Sequence, residues 1–106
     1  MNNYAVNRDR WAQLSIFAQM GNIYAEVGRS FAAKSRNQQQ VAHQAAVRAF
    51  DLFDATAEHL AQLQSPKLKE VLRARELFVE NFFSDSNESI LEKYLSPFAI
   101  AARITS

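Results

Sequence analysis

The sequence predicts an all-α fold: one domain spanning residues 1–106, built as an antiparallel up-and-down four-helix bundle whose last helix is kinked at a proline. Three observations carry that expectation. Four segments repeat apolar residues at steps of three and four, and none alternates with the period of two that a half-buried strand requires. Only 2 glycines and 2 prolines occur, which leaves little of the turn chemistry that β-hairpins demand. The connections between the segments are short, and short connections favour antiparallel neighbours.

The first helix is predicted from about Ala12 to Lys34. Phe17, Met20, Tyr24, Val27 and Phe31 form its apolar stripe, widened by Ile16 and Ile23. Beside the stripe runs a second row of small residues, Gly21, Ala25, Gly28 and Ala32. A glycine inside a helix costs about 1 kcal/mol relative to alanine. Close approach by another backbone, from this chain or from a second copy, is the expected return. Gln19, Asn22, Glu26 and Arg29 form a polar line along this row, and Glu26 with Arg29 stands at ion-pairing distance along the helix. Trp11, at the start of the helix, is expected to close one end of the bundle, with an interface anchor as the alternative.

The second helix is predicted from about Asn37 to Gln64, burying Ala46, Ala49, Phe50, Phe53, Ala57, Leu60 and, near its end, Leu63. Its alanines again point to tight helix contact. Gln44, Arg48, Asp51, Asp54, Glu58 and Gln62 read as the solvated face. Ser65-Pro66 should open a third helix, because serine caps well and proline suits the first helical position. Leu68, Val71, Leu72, Phe78 and Phe82 form its apolar face up to about Phe83. After the polar stretch Ser84 to Asn87, a fourth helix should bury Ile90, Leu91, Tyr94, Leu95, Phe98 and Ala102, with its kink at Pro97.

Composition narrows the function. The 12 basic and 11 acidic side chains leave a net charge of +1, without the global excess of a dedicated duplex-DNA binder. Zero cysteines exclude disulfides, thiolate metal sites and a cysteine nucleophile. No apolar run approaches the roughly 20 residues needed to cross a bilayer, and the polar stretch Met1 to Arg10 lacks the apolar core of a secretory signal. A cytoplasmic protein without membrane association is the expectation.

Three constellations bear on chemistry. Asp51, Asp54 and Glu58 share one helix face, but no Glu-x-x-His string accompanies them, so ion pairs with Arg48, Arg73 or Arg75 are expected in place of a metal site. Lys67, Lys69, Arg73 and Arg75 give the third helix a local basic density, interleaved with Glu70, Glu76 and Glu80; a mixed solvated face is the expectation, with a nucleic-acid footprint as the alternative. The third constellation is the string Arg36-Asn37-Gln38-Gln39-Gln40-Val41-Ala42-His43. It resembles the arginine, polar residue, spacer and histidine motif of the HEPN ribonucleases, small helical bundles in which two protomers bring these residues together to cleave RNA without metal. That resemblance implies Arg36 and His43 as a catalytic pair, although here the string opens a helix, whereas in the family it lies deep in the bundle.

Taken whole, the order of landmarks resembles a group of small uncharacterised bacterial all-helical proteins. Trp11, Gly21-Asn22-Ile23, Glu26-Val27 and Arg29, then Ala49 to Asp54, Leu68 to Val71, Arg75-Glu76, Glu92-Lys93-Tyr94 and Phe98-Ala99 carry the likeness. It implies a helical fold and a bacterial origin, and no activity.

The leading expectation is a non-catalytic interaction module. It self-associates as a homodimer through Gly21, Ala25, Gly28 and Ala32, fringed by Asn22, Glu26 and Arg29, and offers polar surface to a protein partner without any cofactor. A metal-independent RNase or toxin–antitoxin component using Arg36 and His43, and a nucleic-acid-binding accessory protein, are the alternatives.

Overall fold

The computed structural model describes residues 5–83. Four helices occur among them, α1 (Arg8–Ala12), α2 (Ile16–Ser35), α3 (Gln39–Gln62) and α4 (Leu68–Phe83), and no strand is found among the described residues. Three of the four expected helices correspond to α2, α3 and α4. The expected helix from Ile90 to Ala102, with its kink at Pro97, lies outside the described residues.

The N-terminal boundary differs from the sequence expectation. The helix expected from Ala12 is split, because Ser15 adopts an extended backbone and its side chain accepts a hydrogen bond from the Ala18 amide, starting α2 at Ile16. Ahead of it, Asn7 caps α1 by accepting from the Arg10 amide. The break lets Trp11 turn inward: it is buried, and its indole Nε1 donates to Thr56 Oγ1 on α3 at 2.8 Å. The third expected helix also starts late. Ser65 Oγ accepts from the Lys67 amide across a turn, so α4 begins at Leu68.

Both reversals within the described chain are made without glycine. Past α2, Asn37 takes φ 59°, the Gln38 amide donates back to the Ala33 carbonyl and the Asn37 amide to the Lys34 carbonyl. Past α3, Gln64 takes φ 52°, with Ser65 donating to Leu60 and Gln64 to Ala61. This paired bonding satisfies the last helical carbonyls while turning the chain, a job usually given to glycine.

Packing centres on α3, which lies against α1, α2 and α4, with α2 its most extensive neighbour. The small residues Ser30 and Ala33 of α2 and Ala42, Ala45, Ala46 and Ala49 of α3 are all buried. Phe78 of α4 is the hub of the remainder: it is fully buried, and its ring lies 5.1 Å from Phe50, 5.5 Å from Phe82, 5.9 Å from Phe31 and 6.1 Å from Phe53. Aromatic pairs in tilted or edge-on geometry contribute beyond simple area burial. Two expected core residues are instead on the surface. Leu63 is 62% exposed because it follows the last turn of α3, and Leu72 is 43% exposed because it lies off the Val71–Ala74–Phe78 face of α4.

Candidate functional site

The outward side of α2 is built by the helix period itself. Ile23, Val27, Ser30 and Phe31 turn into the core, so Ala25, Gly28 and Ala32 stand exposed and Gly21 is half-buried. A Cβ placed on Gly28 would have no described atom within 4 Å. Ser30 and Ala33 are the small residues that α2 buries, whereas Ala25, Gly28 and Ala32 are exposed. Along the row, Asn22 is exposed and donates from Nδ2 to the Ala18 carbonyl at 2.8 Å. Glu26 is half-buried and doubly paired, with Arg29 one turn on and with Arg48 Nε of α3 at 3.1 Å. Arg29 is exposed. Gln19 departs from the expected polar line. It is fully buried, donating from Nε2 to the carbonyls of Trp11 at 2.9 Å and Leu14 at 3.3 Å, while its Oε1 has no hydrogen-bond partner among the described residues. Gln19 thus holds the α1–α2 break together and belongs to the interior.

Arg36 and His43 are both exposed at the end of the molecule where α2 hands over to α3. Arg36 caps α2, its backbone amide donating to the Ala33 carbonyl at 3.1 Å. His43, one turn into α3, lines an open cavity of about 470 Å³ together with Lys34, Asn37, Gln39, Phe82 and Phe83. Arg36 is not part of that lining. Lys34 reaches over from α2, donates to the Phe82 carbonyl, and places its ammonium 5.0 Å from the centre of the Phe82 ring. Phe83, 68% exposed, stands edge-on to Phe82 with ring centres 5.1 Å apart. Sequence reasoning singled out His43 but missed its surroundings, since only the fold carries the end of α4 alongside the α2–α3 turn.

Arg73 and Arg75 of α4, and Lys67 just ahead of it, are engaged. Arg75 pairs with Asp54 at 3.0 Å and lies over the Phe50 ring, Lys67 lies over the Phe17 ring, and Arg73 pairs with Glu76 at 3.6 Å. The carboxylates of α3 are engaged from the other side. Arg8 bridges Asp51 at 2.9 Å and Glu58 at 3.2 Å, and the Val6 amide donates to Asp51 Oδ2 at 2.6 Å. The hydrogen bond to Asp51 raises the Arg8 pKa above its ordinary value, opposed by partial burial and assisted by Glu58. The pairing of Asp54 with Arg75 was legible from the sequence, whereas Arg8 as partner of Asp51 and Glu58 was not. No group of three or more His, Cys, Asp or Glu residues able to hold a metal ion occurs among the described residues. Nor is any helix among them long and apolar enough to cross a membrane.

Comparison with family models, with curated proteins and with solved structures finds no match to this chain.

Proposed function

We propose that the chain is a non-catalytic interaction module that pairs with a second copy of itself across the outward side of α2 and presents its polar surface to a protein partner. The observation that carries this reading is the exposure of Ala25, Gly28 and Ala32 together with the open space around Gly28. A mid-helix glycine lowers helix stability, and Gly28 meets no described neighbour that needs the room. A second backbone would use it. Glu26 and Arg29, ion-paired beside the row, and Asn22 would fringe such a seam and fix its register. The reading extends to an up-and-down antiparallel bundle in the cytoplasm of a bacterium, with the segment around Ile90 as its last helix, kinked at Pro97.

Light scattering on the purified protein tests it. A dimer is expected, and Gly28→Leu should convert it to a folded monomer, because leucine suits a helix and the position has room for it. A wild-type protein that stays monomeric at NMR concentrations overturns the reading.

A second reading, a metal-independent RNase, is favoured by the exposure of Arg36 and His43 at one end of the molecule and by the open cavity beside His43. RNA cleavage that survives a chelator and is lost in His43→Ala would establish it.

A further inference from the structure

We infer that α1 is a latch, a unit that unfastens from α3 while α2, α3 and α4 stay folded, and that its release bares a slot with a polar floor. The inference does not rest on self-association. A helix of 5 residues, Arg8–Ala12, is too short to hold its shape alone, because nucleation costs more than one turn of hydrogen bonds returns. The extended backbone at Ser15 also cuts it off from α2, so helical order does not pass across the break. What keeps α1 in place is its packing on α3.

That packing has an outer clasp and an inner pin. In the clasp, Asp51 accepts from the Val6 amide at 2.6 Å and from Arg8 at 2.9 Å, and Glu58 accepts from Arg8 at 3.2 Å. Arg8 and Glu58 are exposed, so water and salt compete with this pairing. The pin is the buried indole of Trp11, whose Nε1 donates to Thr56 Oγ1. Two polar side chains meet α1 from the interior. Thr56 holds the indole, Gln19 donates from Nε2 to the Trp11 carbonyl, and both are fully buried. Closure strands the other half of the Gln19 amide, since Oε1 is buried with no partner among the described residues. A buried acceptor without a donor works against the closed state.

On release, water reaches Gln19 Oε1 and the Thr56 hydroxyl and replaces the polar bonds of α1, so the main loss is the burial of Trp11. The rest of the core does not depend on α1. The ring of Phe78 joins α4 to Phe31 of α2 and to Phe50 and Phe53 of α3. Fastening and core are therefore separable, as the opening of one part of a folded chain requires.

Trp11 is the only tryptophan, so its fluorescence and its indole N–H report on α1 directly in the full chain. In urea, the change in Trp11 fluorescence is expected at a lower midpoint than the loss of helical circular dichroism. Native-state hydrogen exchange should show the Trp11 indole protected about a hundredfold less than the Phe53 amide of α3. Two mild variants separate latch from core. Arg8→Ala opens the clasp, and Thr56→Val, close in shape, removes the acceptor of the indole. Each should make Trp11 severalfold more accessible to acrylamide and leave the midpoint of helical unfolding unchanged. Coincident fluorescence and circular dichroism transitions in the wild type, equal protection of the Trp11 indole and the Phe53 amide, or variants that shift helical unfolding without exposing Trp11 overturn the proposal.

Discussion

The two sides of α2 follow opposite rules. Its inward side, Met20, Ile23, Val27, Ser30, Phe31 and Ala33, is buried, and Phe31 there packs edge-on to Phe78 and Phe82 of α4. Its outward side, Ala25, Gly28 and Ala32, is as regular in sequence but is built of small residues and is exposed, with no described atom near the Gly28 Cβ position. Small residues thus take both positions in one helix: Ser30 and Ala33 are buried, whereas Gly28 is exposed with no described atom near its Cβ position. Periodicity identifies the row that holds Gly28 and cannot say whether it meets the rest of the chain.

Substitutions can break or sharpen this contrast. The largest effect is expected from Phe78→Ala, which empties the hub that Phe31 of α2 packs against: a loss of about 3–5 kcal/mol in urea unfolding. Ile23→Ala, at a fully buried position on the inward side, should cost about 2–5 kcal/mol by the same measurement. Gly28→Ala should act with the opposite sign. With no described atom to meet, the new methyl group should raise monomer stability by about 1 kcal/mol at low protein concentration. If a second copy uses the space, the same variant should shift the dimer equilibrium toward monomer, so unfolding as a function of concentration separates the two effects. A destabilised Gly28→Ala monomer would mean that the outward side is occupied from within the chain. Arg29→Ala should be the mildest, removing an exposed pair with Glu26 worth about 0.2–0.5 kcal/mol and leaving Glu26 its second partner, Arg48.

Much of the fold was legible because it rests on local rules. The apolar stripe of α2, the alanine-rich contact face of α3 and the Val71–Phe78–Phe82 face of α4 are written as three- and four-residue steps. The misreadings fall where a single side chain outcompetes that period. Ser15 starts α2 at Ile16, later than the expected start at Ala12, and Gln19, expected on a polar line, turns inward to bond the Trp11 and Leu14 carbonyls across the break. Leu63 and Leu72 satisfied the spacing and still came out exposed, one past the last turn of its helix and the other just off the packed face. Of the candidate sites, Gly28 and its row were visible as a row, and His43 as the end of the string that opens with Arg36. The Lys34–Phe82–Phe83 setting of His43 was not, because it joins residues some forty positions apart.

The sequence by itself determined the all-helical class, the three long described helices and the inward stripe of each, since hydrophobic period and capping act over a few residues. Only the tertiary structure decided that Ser30 and Ala33 are buried while Gly28 is exposed, and that His43 shares a cavity with the end of α4. Both depend on how the helices pack against one another, and that packing is set by burial summed over the whole core, where no single local pattern decides it.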